Sequence, residues 1–383
     1  MRFEFATSNR IIFGPGTCFE VPTLAIQLGR RAMIVTDSRE RVKPLLDELI
    51  SKGLSSIVFM VEREPDIQSI LLAIRNYIDS NCDLVIGFGG GSTLDTGKAV
   101  AALATNPGNP LDYLEVVGLG QTLEKPSAPF IAIPTTAGTG SEVTRNAVIA
   151  VPEKRVKVSL RSPFMLPRIA VVDPELTLSL PPEVTASTGL DALTQVIEPF
   201  FCNTPTPLTD SFCRDGITLS GQSMLKVYLD GQDAAAREDM SLVSLYSGMA
   251  MANARLGAVH GLAGPLGGMY QVPHGIVCAR LLPLVMETNL QALRSRKPDS
   301  PVLTRYIEVA QILTGIQDSI PEDSIVRVRE LCEKMSIPPL GMYGLKSKDF
   351  PSLISQAQKS SSMKGNPIVL KDAELIEILE KAM

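Results

Sequence analysis

The sequence contains almost no histidine. Only two occur among 383 residues, His260 and His274, and both fall within GAVHGLAGPLGGMYQVPHG. Neutral imidazole is the commonest protein ligand for catalytic transition metals and titrates nearest to neutral pH. No short motif such as H-E-x-x-H is present, so the spacing alone leaves two interpretations open: a shared metal site, or two ordinary hydrogen-bonded residues.

Other absences exclude further classes of protein. The six cysteines include no C-x-x-C pair, which argues against a zinc knuckle or a disulfide framework and favours a reducing compartment. A net charge of -5 and a pI near 5.3 argue against a nucleic-acid or anionic-membrane surface. The amino terminus carries an early acid, and we find no uninterrupted apolar run of membrane-spanning length. We therefore expect a cytoplasmic protein with neither nucleic acid nor membrane as a partner.

The chain is long enough for two domains, which we place at residues 1–180 and 181–383. In the first part, apolar runs without polar alternation are separated by helix-like stretches such as Val42–Lys52 and Ile67–Ser80, a pattern that predicts a parallel sheet covered on both faces. The runs are Ala32–Thr36, Ser56–Val61, Asp83–Gly87, Pro129–Pro134 and Ile169–Val172.

The second part has a different texture. After the Pro181-Pro182 pair, Ala, Leu, Met and charged residues recur at helical spacing to the end of the chain. The predicted fold class is an α/β nucleotide-binding domain followed by an all-helical domain.

A glycine cluster follows the run at Asp83–Gly87. Gly89, Gly90 and Gly91 can take positive φ and let an anion approach the backbone, and the helix that follows offers free N–H groups. Such a site suits a pyrophosphate. The alternative is a simple turn in which Ser92 caps the helix and Asp95 closes a capping box. These capping roles are compatible with phosphate binding, so Ser92 and Asp95 join the three glycines as candidate cofactor contacts.

A second loop, PTTAGTGSEVT, also follows a strand and offers hydroxyl and backbone donors that could close over phosphates and a nicotinamide. Two such loops at the carboxyl ends of neighbouring strands are a stronger signal than either alone. The candidate cofactor contacts in this second loop are Thr135, Thr136, Thr139 and Ser141.

The order of these motifs departs from the usual dinucleotide fingerprint, in which a ribose-binding acid comes about twenty residues after the glycines. Here the candidate acid, Asp37 in IVTDS, precedes the glycines at the end of an earlier strand. The alternative for Asp37 is a helix N-cap.

Five ordered motifs resemble the iron-containing (group III) alcohol dehydrogenases over nearly the whole chain: GGGSTLDTGKA, PTTAGTGSEVT, DPELTLSLPP, TGLDAL followed by IEPF, and VHG followed by PHG. The resemblance implies an amino-terminal nucleotide-binding domain, a helical carboxyl-terminal domain, a divalent metal, and hydride transfer between an alcohol or aldehyde and NAD(P). It also suggests a homodimer or a larger homo-oligomer.

The resemblance places the family's metal aspartate on Asp191 and two of its metal histidines on His260 and His274. The chain departs from the family at two positions: Gln195 stands where a third metal histidine is expected, and Gly264 replaces a histidine usually near the substrate. Asp191 with the two histidines makes a set that can hold Fe(II), Zn or Mn. The Gln195 amide oxygen could be a weak fourth ligand or a substrate contact.

In the nucleotide domain, Asp37 matches the acid with which NAD-dependent members hold the adenosine ribose, and its charge would repel the 2′-phosphate of NADP. NAD(H) is therefore expected over NADP. Asn146 and Lys157 match family positions near the cofactor.

The predicted function is NAD(H)-dependent, metal-assisted interconversion of a small alcohol and its aldehyde, with Fe(II) or Zn as the metal. Three alternatives stay open at this point. They are a metal-independent reductase like maleylacetate reductase, a non-redox lyase like dehydroquinate synthase that uses NAD only transiently, and a silent nucleotide-binding protein.

Overall fold

A computed structural model describes residues 2–383. Contacts between Cα atoms divide the chain into two compact units. Ala6–Leu178 forms the first, and Ser179–Met383 forms the second together with the amino-terminal residues through Phe5. We call them the nucleotide unit and the helical unit.

The nucleotide unit is built on a six-stranded parallel sheet with the order β1-β8-β5-β4-β2-β3. A separate antiparallel pair, β6 and β7, accompanies it. The strands are β1 Ile11–Phe13, β2 Arg31–Thr36, β3 Ser55–Met60, β4 Leu84–Gly89, β5 Phe130–Pro134, β6 Asn146–Val151, β7 Val156–Arg161 and β8 Ile169–Val172.

Helices cover both faces of this sheet, so its central strands are apolar along their whole length. Every residue of β4 and β5 is buried. One cluster of apolar side chains includes Ile34, Ile86 and Ile131, and a second on other positions includes Met33 and Val85. The helices of this unit are α1 Val21–Ala25, α2 Arg39–Ser51, α3 Ile67–Asp79, α4 Gly91–Leu103 and α5 Pro110–Tyr113.

The structure confirms the parallel sheet and all five predicted strands. Three strands were missed. β1 has only three residues, too few for a periodic signal. β6 and β7 form a hairpin whose residues alternate in burial or carry charge, whereas the prediction was based on uninterrupted apolar runs.

The helical unit contains no strand among its described residues, in agreement with the predicted all-helical second half. Its helices are α6 Pro182–Phe201, α7 Pro207–Leu229, α8 Ala234–Asn253, α9 Ala258–Met269, α10 His274–Arg296, α11 Val302–Thr314, α12 Pro321–Lys334, α13 Phe350–Lys359 and α14 Asp372–Ala382.

Helix α10 corrects one expectation. By length and composition alone it is apolar enough to cross a membrane, although no such segment was expected from the sequence. Most of its apolar window, 72%, is buried inside the protein. Arg280 and Glu287 interrupt its sequence, and a buried core helix passes the same test of composition.

Candidate active site

One face of α6 carries three polar residues into the interior of the helical unit. Asp191, Gln195 and Glu198 occupy positions i, i+4 and i+7, which lie on the same side of a helix. All three are buried, at 2%, 2% and 6% exposure. Buried polar groups at this depth require partners, and each partner indicates what the residue does.

The two histidines approach this face from α9 and α10. His260 lies in the first turn of α9, and His274 is the first residue of α10. Cys278 follows one turn later on α10, so its side chain shares a helix face with that of His274. α10 can approach α6 closely because of Gly275, where a Cβ atom would lie only 2.2 Å from the Ser187 carbonyl oxygen.

Asp191, His260, His274 and Cys278 converge so that one potential ligand atom from each lies within 4.8 Å of the others. Asp191 Oδ1 is 3.5 Å from His260 Nε2 and 3.7 Å from His274 Nε2. Cys278 Sγ is 3.8 Å from His260 Nε2 and 3.6 Å from His274 Nε2. We call these four residues the metal cluster.

The metal cluster has the chemistry and spacing of a cation site. Asp191 Oδ1 is buried and has no hydrogen-bond partner among the described residues. Leaving a carboxylate oxygen buried and unpaired is costly unless a cation compensates it. A tetrahedral ion with bonds of about 2.0–2.3 Å separates its ligand atoms by about 3.3–3.8 Å, which includes the four distances to the imidazole nitrogens given above.

Gln195 lies beside the metal cluster, with both ends of its amide group engaged. Its Nε2 donates to Asp191 Oδ2 at 3.0 Å, and its Oε1 accepts from Ser247 Oγ at 2.9 Å. The amide oxygen, which the sequence left open as a weak metal ligand or a substrate contact, therefore has Ser247 as its partner. In this arrangement Gln195 orients Asp191 so that Oδ1 is the carboxylate oxygen left free.

Glu198 orients His260 in a similar way. Its Oε2 lies 2.7 Å from His260 Nδ1, and its Oε1 accepts from the Val259 backbone N–H at 2.7 Å. Asn366 Oδ1 accepts from the Ala258 N–H at 3.1 Å, so two side chains satisfy the first turn of α9. A carboxylate on Nδ1 selects the tautomer whose Nε2 can bind a metal.

Electrostatics in the metal cluster favour positive charge. The charge of Cys278 raises the pKa of His274 to about 9. Burial lowers the pKa of His260, but Cys278, Asp191 and Glu198 outweigh it and the net shift is strongly upward. Burial raises the pKa of Asp191, and the two imidazoles reverse that shift. The negative groups thus hold protons on the histidines, and a divalent cation would compete for the same place.

The side chains around the metal cluster leave room on one side. The His274 side chain is 39% exposed, whereas those of Asp191 and His260 are almost fully buried. Gly264, one helical turn after His260 in α9, would place a Cβ atom with nothing within 4 Å. The space that the family's histidine would occupy at position 264 is therefore open, and no neighbouring side chain fills it.

In the nucleotide unit, the predicted cofactor loops meet at one edge of the sheet. β2, β4 and β5 are parallel neighbours, so Asp37, the glycines after β4 and the threonines after β5 all follow carboxyl ends. Ligands of open α/β sheets bind at this edge. The predicted neighbouring loops are confirmed.

The role expected for the glycines needs a correction. None of Gly89, Gly90 and Gly91 has a positive φ. Gly90 is the N-cap of α4, with no side-chain cap, so the alternative in which Ser92 caps this helix is wrong. A Cβ atom on Gly91 would lie 2.8 Å from Thr139 Cγ2, so glycine is needed here for close approach of the two loops. The uncapped N–H groups of α4 remain available to an anion.

Asp95 and Ser141 join the two loops to each other. Ser141 Oγ donates to Asp95 Oδ1 at 2.6 Å, and the Val148 N–H donates to Asp95 Oδ2 at 2.9 Å. Lys98 Nζ, almost fully buried, donates to the Ser141 carbonyl oxygen at 2.9 Å and to Thr144 Oγ1 at 2.8 Å. Asp95 therefore closes no capping box. The hydrogen bonds of Asp95 and Lys98 instead hold the loop after β5 against α4.

Glu142 lies next to this group and is 1% exposed. Burial raises the pKa of its carboxyl to about 7, although its own backbone and Lys98 act in the opposite direction. Burial likewise lowers the pKa of Lys98. A buried acid and a buried amine thus lie near each other where α4 contacts the loop after β5.

Asp37 is not a helix N-cap, because Ser38 caps α2 by accepting from the Arg41 N–H. Asp37 Oδ1 instead accepts from Arg41 Nη2 at 2.7 Å, and Arg41 Nη1 reaches Thr135 Oγ1 at 3.4 Å. Asp37, the acid expected to bind the ribose, is therefore ion-paired with the Arg41 guanidinium group.

Asn146 and Lys157 lie in the β6–β7 hairpin rather than in the two loops. Asn146 opens β6 opposite Arg161, and Lys157 in β7 forms an ion pair with Glu64. Their cofactor roles stay predictions.

Two residues of the metal cluster environment were missed in the sequence. Glu198 lies in the IEPF motif and extends the spacing of Asp191 and Gln195 to i+7, which was a usable signal. Cys278 follows His274 by four residues, and this His-x-x-x-Cys spacing on a helix was the signal for it.

The fold and the two sites define a class: an oxidoreductase with a dinucleotide-binding unit and a metal-binding helical unit. Residues 8–174 match the family described as iron-containing alcohol dehydrogenase, and residues 185–383 match the carboxyl-terminal domain of the Fe-containing alcohol dehydrogenase family. The chain belongs to the iron-containing alcohol dehydrogenase family. This membership confirms the predicted fold class, the enzyme class and the pairing of NAD(H) with a divalent metal.

Individual relatives agree with this assignment. The chain is 37% identical to alcohol dehydrogenase 4 of Saccharomyces cerevisiae strain YJM789 over 362 residues, 92% of this chain and 91% of the relative. It is 33% identical to 1,3-propanediol dehydrogenase of Citrobacter freundii, over 99% of this chain and 98% of the relative. The solved structure of an alcohol dehydrogenase from Oenococcus oeni superposes with a TM-score of 0.92 at 33% identity, with all of both chains covered.

Proposed function

We propose that the protein interconverts a small alcohol and its aldehyde with NAD(H), and that Asp191, His260 and His274 hold the divalent metal. The observation that carries the proposal is Asp191 Oδ1, which is buried without a hydrogen-bond partner among the described residues and faces two imidazole nitrogens at 3.5 and 3.7 Å. When bound, the metal supplies Lewis acidity toward the substrate oxygen, and NAD(H) carries the hydride.

The chain's own residues prepare this site. Glu198 holds the His260 ring with Nε2 turned inward, and Gln195 holds Asp191 with Oδ1 turned inward. The partly exposed His274 marks the side from which a substrate reaches the site. Fixed ligand orientation avoids the free-energy cost of reorganising these groups during the reaction.

Proton transfer is expected to proceed without a free imidazole. The chain has only two histidines, and both are assigned to the metal. Gly264 stands where a third could have lain beside the substrate. The pH–rate profile of the metal-saturated enzyme should therefore lack a limb near the ordinary imidazole pKa of about 6.5.

For the cofactor, we propose that the uncapped start of α4 at Gly90 and Gly91 binds the pyrophosphate. Thr135, Thr136 and Thr139 line the facing loop, and Ser92 lies in the first turn of the helix. Asp37 holds the adenosine ribose, with NAD preferred over NADP. Asp95 and Ser141 support the two loops through their mutual hydrogen bond.

The test combines metal analysis with activity. Protein purified without chelator should contain close to one divalent metal per chain and lose activity when the metal is removed. His260→Ala should lose the metal and at least about a thousandfold in turnover, which corresponds to about 4 kcal/mol. Cys332→Ser is the matched control, because this buried cysteine contacts the Ala279 carbonyl oxygen and a serine hydroxyl can keep that contact.

One observation supports the alternative of a metal-independent reductase. The Gln195 amide oxygen is occupied by Ser247, so the third histidine of the family has no direct replacement at its own position. A metal-independent reductase fits that loss. Full activity in strong chelator, together with tolerance of His260→Ala, would establish this alternative and remove the metal proposal.

Assembly and location are also proposals. We propose a homodimer or larger homo-oligomer in the cytoplasm. All six cysteines are free thiols, which suits a reducing compartment. Sedimentation of the purified protein measures the first, and fractionation of the native cell measures the second.

A further inference from the structure

The metal cluster has a fourth potential donor that the metal-ligand assignment above does not use. Cys278 is buried at 0% exposure, and its Sγ lies 3.8 Å from His260 Nε2 and 3.6 Å from His274 Nε2. These spacings match those between Asp191 Oδ1 and the same two nitrogens. The sulfur and the carboxylate oxygen therefore complete one small four-atom shell with the two imidazoles.

Gln195, at the position of the expected third histidine, has its amide group engaged away from this shell. Gln195 uses its amide nitrogen on Asp191 and its amide oxygen on Ser247, and all three side chains are buried. Turning the amide oxygen toward the metal cluster would leave the Ser247 hydroxyl without this partner and break the bond that orients Asp191. The histidine that is absent from α6 at Gln195 is thus matched by a sulfur donor on α10, that of Cys278.

We propose that the thiolate of Cys278 is the fourth protein ligand, so that this enzyme has an aspartate, two-histidine, one-cysteine metal site. The inference depends on the proposed metal role of Asp191, His260 and His274. The position of Asp191 agrees with this: its Oδ1 is buried without a hydrogen-bond partner among the described residues and lies within 4.8 Å of the sulfur. On metal binding the protons shared by the two imidazoles and the Cys278 sulfur pass to solvent, and the freed nitrogen and sulfur lone pairs form the bonds, with no change of oxidation state.

A thiolate changes which metal the site prefers. Soft sulfur ligands favour zinc, whereas a set of imidazole and carboxylate ligands also suits Fe(II). We therefore expect zinc to bind in preference to Fe(II). Replacing Cys278 with serine should lower the ratio of zinc affinity to Fe(II) affinity by about tenfold or more.

Cobalt substitution tests the ligand directly, without reference to activity. Apo-protein loaded with one equivalent of Co(II) should show the intense near-ultraviolet charge-transfer absorption of a cobalt–thiolate bond. Cys278→Ser should lose that band, and Cys332→Ser should keep it. X-ray absorption of the zinc-loaded, unaltered enzyme should show one sulfur at about 2.3 Å, which keeps the test valid if Cys278→Ser fails to fold.

The outcomes separate this inference from the proposed function. Stoichiometric cobalt without a charge-transfer band, or zinc without a sulfur neighbour, overturns the cysteine ligand and leaves the Asp191, His260 and His274 site standing. If the unaltered enzyme binds neither cobalt nor zinc, both proposals fail together. A band that survives Cys278→Ser but disappears in Cys332→Ser also contradicts the inference.

Discussion

The two proposed sites of this protein differ in the groups that form them: backbone N–H groups in one and buried side chains in the other. The proposed cofactor site uses backbone N–H groups and needs glycine where its two loops approach each other, as at Gly91, where an added methyl group would contact Thr139. The metal cluster depends on buried side chains of specific chemistry, whereas Gly264 beside it has open space. The first site should therefore be sensitive to volume and the second to donor identity.

The largest expected effect concerns Glu142, the buried acid in the loop after β5, whose ionisation should change the stability of the protein with pH. The pKa of Glu142 is about 7 in the folded protein, above its ordinary value of 4.5. The folded state then binds more protons than the unfolded state between pH 4.5 and 7. Stability is highest below this window and falls by on the order of 3 kcal/mol as pH rises through it.

Chemical unfolding at pH 5 and pH 8 measures this slope. Glu142→Gln cannot ionise, so its stability should change less between the two pH values by about that amount. Glu153→Gln, an exposed position in the same unit, should leave the slope unaltered. Equal slopes in the unaltered protein and Glu142→Gln would contradict a raised pKa.

Glu198→Gln tests whether the metal cluster depends on charge rather than on shape. Glutamine has nearly the same volume, but it loses the carboxylate that faces His260 Nδ1. Metal affinity should fall by about 10–100-fold, measured by competition with a chelator of known affinity. Glu183→Gln, at an exposed position of the same helix, should bind metal normally. Unchanged affinity in Glu198→Gln would mean that the carboxylate only fills space.

Gly91→Ala tests the opposite dependence. The added Cβ atom would lie 2.8 Å from Thr139 Cγ2, and overpacking at such a contact costs about 1–2 kcal/mol. NAD affinity, measured by titration calorimetry, should fall roughly tenfold while metal content stays the same. Adding Thr139→Ser removes the opposing methyl group and should restore part of the loss. No recovery in the double variant would show that steric contact is not the cause.

Asp37→Gly should weaken cofactor discrimination by about 1 kcal/mol. The substitution removes the acid that pairs with Arg41 and leaves that guanidinium free to meet a 2′-phosphate. The ratio of kcat/KM for NAD over NADP should drop by about fivefold to tenfold. The double variant with Arg41→Ala should gain less NADP activity than Asp37→Gly. Equal use of both cofactors by the unaltered enzyme would refute the role of Asp37.

The smallest effect is expected at Gly264. Alanine restricts the unfolded chain and suits a helix interior, so Gly264→Ala should raise the free energy of unfolding by about 0.5–1 kcal/mol. Beyond the glycine's own helix, no atom of the described residues lies within 4 Å of the new Cβ to offset this gain. Differential unfolding measures the stability, and a panel of branched alcohols should show reduced kcat/KM for the bulkiest substrates. A destabilised variant would mean that the space is not open.

Short-range pattern was sufficient to predict much of this protein. Uninterrupted apolar runs predicted five strands of the parallel sheet, because a strand that is buried on both faces has no polar positions. The only two histidines of the chain, His260 and His274, lie close together in sequence, and helical spacing places Asp191 and Gln195 on one face. These properties depend on neighbours a few residues apart, and they can be read directly from the chain.

Tertiary structure decided which donor atoms meet. Cys278 and Asp191 are 87 positions apart in sequence numbering, and only the close approach of α10 to α6 at Gly275 brings them into one shell. The orientation of the Gln195 amide group depends on Ser247, a residue on α8. No local pattern encodes such contacts, because hydrogen bonding and burial depend on packing between helices. The sequence by itself determined the fold class and two histidine positions, and packing determined the chemistry of the site.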